Sequence, residues 1–239
     1  MEIRADLYCE EGGSAAFDVD AALQRARAAI AHAHARALAH VLFTVRSLQE
    51  GGMCPPQHVL SLLKLGFRMG CEIVDIEASA RADTRSALLQ WLQRHFSSQP
   101  PSSPVSAVLS SVHVTNASVT LHDDHICARS LAAAAACAPA PHALKFAAVV
   151  TDDVAGARMH QQALQAQHSF NLPVCCVAMA GEAAGSSGIA AISRLRCATL
   201  TFCRPMSAAA PTASGSPART ENSQSRALLA LAPNKIAIP

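Results

Sequence analysis

In HALKFAAVV, residues 142–150, a single lysine, Lys145, interrupts an apolar run of strand length. A free ammonium is costly to bury at such a place unless it is paired. Facing the interior of a β-rich enzyme, it would have its pKa lowered by desolvation, and the neutral amine could attack a substrate carbonyl to form a Schiff base. The competing reading is a lysine on an exposed strand face, or one snorkelling to solvent from a strand end. What the other strands place beside Lys145 decides between them.

The other chemically capable residues recur at or near strand ends. Glu2, Arg4 and Asp6 lie in MEIRADL, Arg46 ends VLFTVR, Asp75 and Glu77 lie in CEIVDIEA, His113 follows SSV, and Arg194 lies in AISRL. Glu2 and Arg4 have the i, i+2 spacing that shares one strand face, although an exposed ion pair has the same spacing. His113 beside Ser110 and Ser111 suits hydrogen-bonded scaffolding as well as a base. The run HDDH at 122–125 resembles a metal cluster, but it falls at an expected helix start, where Asp123 and Asp124 would favour the helix dipole. No metal is expected.

These residues need a scaffold that gathers strand ends. MEIRADL, VLFTVR (41–46), CEIVDIEA (71–78), VSAVLSSV (105–112), LKFAAVV, LPVCCVAMA (172–180) and ATLTF (198–202) read as seven strands. Between them lie helical patterns at 19–39, capped by Asp18, at 56–69, closed by Gly70, and at 83–96, 119–136 and 153–167, with a short one at IAAISRL. Such alternation indicates a parallel sheet with helical crossovers, whose active sites form at the strand C-termini. A closed (β/α)₈ TIM-type barrel needs eight strands, and the expectation is a barrel lacking its first strand, which would precede Met1. Residues 1–204 are read as the barrel domain. The Ala/Ser/Pro-rich segment 205–239 is read as a disordered tail.

Composition narrows the function classes. The 239 residues suit one α/β barrel, and with half of them hydrophobic but only 4% aromatic the core must be aliphatic. A net charge of +2 with no basic block argues against nucleic acid. Nine cysteines without CxxC spacing, two of them adjacent at Cys175 and Cys176, read as reduced thiols in an intracellular protein. The N-terminus has no apolar segment of a signal peptide, and the apolar stretch before Val150 is broken by Pro139 and Pro141, so no membrane span is expected.

VLFTVRSLQEGG followed by LLKLGFRMGCEIVDIE closely resembles the type I 3-dehydroquinate dehydratases, particularly the eukaryotic forms embedded in multifunctional shikimate-pathway polypeptides. MEIRADL is similar to the family's Glu-x-Arg-x-Asp strand, SSVHVTNAS to its Ser-Ser-His strand end, LKFA to its Lys-Ile-Ala segment, and AISRL and LTF to its last helix and strand. The resemblance implies a (β/α)₈ barrel that dehydrates 3-dehydroquinate to 3-dehydroshikimate through a Schiff base on Lys145, with His113 as general acid and base and Glu77 orienting its imidazole. It implies that Arg194 binds the substrate carboxylate and that Glu2, Arg4 and Arg46 hold ring hydroxyls or balance charge. It also implies no cofactor, a cytoplasmic or plastid setting, and a homodimer or fused shikimate-pathway domains as partners.

The chain departs from the family's pattern in two places besides the first strand. It reads Ser110-Ser111-Val112-His113, a one-residue displacement that would turn the histidine to the opposite strand face unless a bulge restores it. It also reads Ala209-Ala210-Pro211-Thr212-Ala213 where the family closes its site with Ser-Ala-Pro-Gly-Gln. Two other readings stay open: a degenerate barrel serving as a ligand-sensing or structural module, like the quinate repressors that resemble this family, and an aldolase-type Schiff-base barrel.

Overall fold

The structure, a computed structural model, describes residues 1–8, 17–36, 40–96, 106–115, 125–150 and 153–180. Its strands are β1 (Glu2–Arg4), β2 (Leu42–Thr44), β3 (Ile73–Glu77), β4 (Ala107–Val114), β5 (Ala143–Val150) and β6 (Val174–Ala180). All neighbours pair in parallel, in the spatial order β1-β2-β3-β4-β5-β6. The helices between them are α1 (Val19–Ala35), α2 (Pro56–Arg68), α3 (Ala82–Phe96), α4 (Ile126–Ala135) and α5 (Asp153–Phe170). Strand following strand through a helix, always to the next position, curls the sheet into the TIM-type α/β half-barrel.

The sequence cues act locally as expected. Asp18 caps α1 by accepting from the backbone N–H groups of Asp20 and Ala21, each at 3.0 Å. Pro56 opens α2, where its missing N–H leaves nothing unpaired, and Gly70 follows the helix with φ +69°. MEIRADL is shorter as a strand than expected. Pairing stops at Arg4, and Ala5–Leu7 turns as a 3-10 helix that swings Asp6 back towards β2.

Parallel pairing and the two-residue pleat sort the side chains onto two faces. The outer face carries Ile3, Phe43, Val74 and Val108, buried against Ala26, Ile30, Leu62, Leu63 and Leu88 of α1 to α3. Further along it carries Leu144, Phe146, Val174 and Cys176, buried against Leu131, Ala134, Met159 and Ala163 of α4 and α5. Small helix residues bring the layers close. A Cβ on Gly66 would lie 2.5 Å from the Phe43 ring, so glycine lets α2 seat on β2. The six described cysteines are thiols, five of them buried. Among the described residues no helix is long and apolar enough to cross a membrane.

The expected strand at 198–202, the short helix holding Arg194, the loop at 209–213 and the tail at 205–239 lie outside the described residues, as do residues 122–124 of HDDH. His125 stands at the N-cap of α4 without a side-chain capping bond.

Candidate active site

The inner face is polar where the outer face is apolar. Register aligns Arg4 with Thr44, Thr44 with Asp75, Glu77 with Ser111, and Ser111 with Lys145, so these side chains share one face. Glu2 and His113 stand two residues from members of the same rows and join that face. The expected displacement of His113 therefore does not turn it away. Ser111 and His113 point inward on the same pleat, and Ser110 takes the outer face, with no bulge in the β3–β4 or β4–β5 pairing.

Lys145 is 5% exposed, which settles the choice opened by the sequence in favour of burial. Its Nζ donates to Asp75 Oδ2 at 3.3 Å and lies 3.8 Å from Glu2 Oε1. Thr44 Oγ1 in turn donates to that Glu2 oxygen at 2.9 Å. Asp75 is 1% exposed, and its second oxygen, Oδ1, is buried with no hydrogen-bond partner among the described residues.

The loop between β2 and α2 supplies the residue that the sequence reading missed. After Arg46 the chain turns through a 3-10 helix at Leu48–Glu50 and folds back on itself. Gly52 N–H donates to Ser47 O at 2.8 Å and Cys54 N–H to Arg46 O at 3.1 Å. A Cβ on Gly52 would lie 2.1 Å from Arg46 O, so this turn demands glycine. The turn delivers Glu50, 4% exposed, to the ends of β3 and β4. Its Oε2 accepts the backbone N–H of His113 at 3.0 Å and lies 2.7 Å from His113 Nδ1, while Oε1 accepts from Ser79 Oγ.

Glu50, and not Glu77, is thus the carboxyl on the imidazole. Glu77 is occupied beside it, where its Oε1 accepts from Ser47 N–H at 3.0 Å. This corrects the assignment of Glu77 as the residue that orients His113. The physical reason is reach: the β2–α2 loop arches over the strand ends, and Glu77, still within β3, is used to anchor that loop.

Electrostatics fit this arrangement. Burial, then the cations Arg46, Lys145 and Arg4, push the His113 pKa far below its ordinary value and hold the ring neutral. Burial, then the neighbouring Glu77 charge, push the Glu50 carboxyl up to about 8. Glu77 is raised too, chiefly by burial. The buried Nε2 of His113 has no hydrogen-bond partner among the described residues. Ligand-type atoms of Glu50, Glu77 and His113 lie within 4.8 Å of one another, a spacing that could hold a cation, but Arg46, Lys145 and Arg4 would oppose one there.

Arg4 and Arg46 frame the site through Asp6. Arg4 grips Asp6 with two bonds, Nε to Oδ1 at 2.8 Å and Nη2 to Oδ2 at 2.7 Å, which raise the guanidinium's pKa. The same carboxylate accepts from the backbone N–H of Arg46 at 3.3 Å and of Met53 at 3.4 Å. Asp6, 0% exposed, ties β1 to the loop carrying Glu50, a role visible only in three dimensions. Arg46 keeps a buried Nε with no partner among the described residues. Arg194 lies outside the described residues.

A parallel α/β sheet that gathers a buried lysine, a neutral histidine and several carboxyls at its strand ends defines the class: a TIM-type barrel protein with a polar inner site. The chain belongs to the type I 3-dehydroquinase family, whose model matches residues 1–224. It is 34% identical over 93 residues to the pentafunctional AROM polypeptide of Malassezia globosa, covering 38% of this chain and 5% of that polypeptide's length. The 3-dehydroquinate dehydratase of Geobacillus kaustophilus superposes with a TM-score of 0.64 at 19% identity, over 97% of this chain and 79% of that one. The dehydroquinate dehydratase and shikimate dehydrogenase portion of S. pombe AroM superposes with a TM-score of 0.59 at 15% identity, over 86% of this chain and 35% of that one. At these identities the two superpositions speak to the fold.

Proposed function

We propose that the chain dehydrates 3-dehydroquinate to 3-dehydroshikimate, a step of the shikimate pathway, through an imine on Lys145. The observation that carries this reading is the burial of Lys145 on the same sheet face as His113, whose Nε2 faces no partner among the described residues. Membership of the type I 3-dehydroquinase family supports the substrate.

In this reading Lys145 condenses with the C3 ketone, and the iminium makes the C2 proton acidic by accepting the developing charge. His113 removes that proton at Nε2 and returns it to the departing C1 hydroxyl. Glu50 holds Nδ1 and stabilises the imidazolium in between. Glu77 braces the loop that carries Glu50. Arg46, Arg4 and Glu2 hold the ring hydroxyls and balance charge, and Arg194 binds the carboxylate as a bidentate pair. The barrel domain spans residues 1–204 and the tail 205–239, in a cytosolic chain that acts as a homodimer or beside fused pathway domains.

The test is reductive trapping. The protein is incubated with 3-dehydroquinate and borohydride and digested, and the adduct is located by mass spectrometry. An adduct on Lys145 is the expected result. Measurable binding without an adduct would overturn the enzyme reading and leave a ligand-sensing barrel in its place.

A further inference from the structure

Imine formation on Lys145 leaves one chemical requirement unassigned. An ammonium cannot attack a carbonyl, and the carbinolamine hydroxyl leaves far faster as water than as hydroxide near neutral pH, so a group at Nζ that takes up a proton and gives it back speeds both halves of the condensation. The geometry points to Asp75 as that group, the acid and base that cycles Lys145 through condensation.

Asp75 stands on β3 two residues before Glu77, 1% exposed, with Oδ2 in hydrogen-bond contact with Nζ at 3.3 Å. Its Oδ1 is buried and has no hydrogen-bond partner among the described residues, so one lone-pair set remains to meet a hydroxyl at the carbon that Nζ attacks. Glu2 is less suited. Its oxygen lies further from Nζ, at 3.8 Å, and already accepts from Thr44 Oγ1, and its side chain is 31% exposed. His113 is engaged by Glu50 at Nδ1, and in the proposed reaction its Nε2 serves the later proton transfer at C2.

The step balances. The Lys145 ammonium gives one proton to the Asp75 carboxylate, and the amine adds to the ketone carbon as the C=O π electrons move to oxygen. A second proton passes from nitrogen to that oxygen, giving a neutral carbinolamine. Asp75 then protonates the hydroxyl, the C–O bond breaks, water leaves, and the nitrogen lone pair forms the iminium. Asp75 ends as it began, a carboxylate, now beside the iminium cation.

The inference rests on the Lys145 imine, and the experiment separates the two. Wild-type protein and Asp75→Asn are mixed with 3-dehydroquinate, and the rate of borohydride-trapped adduct is measured alongside non-covalent binding by calorimetry. The expected result is an adduct on wild-type Lys145, with formation slowed about 100-fold in Asp75→Asn while binding stays within a few-fold. Asp75→Ala, with added formate to stand in for the missing carboxylate, is expected to recover part of the rate, an effect that a purely structural role would not produce. Trapping of Asp75→Asn at the wild-type rate would overturn the role of Asp75 and leave the imine standing. Absence of a wild-type adduct would overturn the imine itself. Circular dichroism of each variant checks that the fold is retained, and the near-isosteric Asn makes no demand on packing.

Discussion

One oxygen of Glu50 holds His113 twice. Oε2 lies 2.7 Å from the ring Nδ1 and accepts the backbone N–H of the same residue at 3.0 Å, across 63 positions of sequence. A carboxyl so placed fixes both the ring's orientation and the strand end that carries it. It also lies where a positive charge would form when Nε2 takes a proton.

Glu50→Gln keeps the shape of that contact and removes the charge that Glu50 carries above about pH 8, where turnover is compared. The expected outcome is a turnover about 10- to 100-fold lower, the range for losing support of a general base, with KM little changed. Trapping of the Lys145 adduct should stay near the wild-type rate, because Glu50 does not touch Nζ. Steady-state kinetics and the trapping assay read the two effects separately.

The same pair predicts a pH response in the free protein. With Glu50 raised to about 8 and His113 lowered, the folded pair holds a single proton, on Glu50, until about pH 8. In the unfolded chain Glu50 titrates near its ordinary 4.5 and His113 near 6.5. Between pH 4.5 and 6.5 the Glu50 contribution, which lowers stability as pH rises, is opposed by that of His113, which raises it. Above 6.5 the His113 contribution is flat, and Glu50 alone makes stability fall as pH rises towards 8, by at most about 1.4 kcal/mol per pH unit. Glu77, raised as well, adds to the fall in its own window above 4.5. Urea midpoints at pH 6.5, 7.25 and 8 should show the decline, and Glu50→Gln should flatten it. The proton-free pair is the basic form, so kcat/KM should climb through about pH 8 and lose that climb in Glu50→Gln.

Packing gives a test away from the site. Gly66→Ala would place a Cβ 2.5 Å from Cδ1 of Phe43, whose ring is 0% exposed and has nowhere to go. Overpacking of this kind costs about 1–3 kcal/mol, more than the roughly 1 kcal/mol that alanine gains over glycine in helix propensity. The variant should therefore be less stable in urea, where an exposed helical glycine replaced by alanine would be more stable.

The parts of the molecule that obey local rules were legible in its sequence. Short apolar runs marked β3 and β5, Asp18 announced α1, and Gly70 its place after α2, because caps and strand runs depend on a few adjacent residues. Lys145 was legible as a contradiction, a charge in an apolar strand. Glu50 was not, since its contact with His113 depends on a loop folding over two other strands. The signal that could have found it was the Gly51-Gly52 pair just behind it, a turn tight enough to throw a side chain back across the barrel mouth. His113 faces inward without a bulge, because a displacement counted against a family pattern says less than the register of the strand itself. Register aligns Ser111 with both Glu77 and Lys145, and His113 follows Ser111 by one full pleat.

The ion pair between Lys145 and Asp75 allows a last prediction, in which two damaging changes relieve each other. Lys145→Met abolishes trapping and leaves the Asp75 carboxylate buried without the cation 3.3 Å away, a loss of the kind that costs about 3–5 kcal/mol when one partner of a buried pair is removed. Asp75→Asn leaves an ammonium that still has Glu2 at 3.8 Å, so its cost should be smaller. In Lys145→Met with Asp75→Asn no buried charge is left over from the pair, and the double variant should be more stable than Lys145→Met alone. Chemical denaturation of the four proteins closes the cycle, and a coupling energy near zero would show that the two side chains do not depend on each other in the folded state. A large coupling in stability, joined to slow trapping in Asp75→Asn, would mean that the contact that makes burial of the lysine tolerable is also the contact through which it loses its proton.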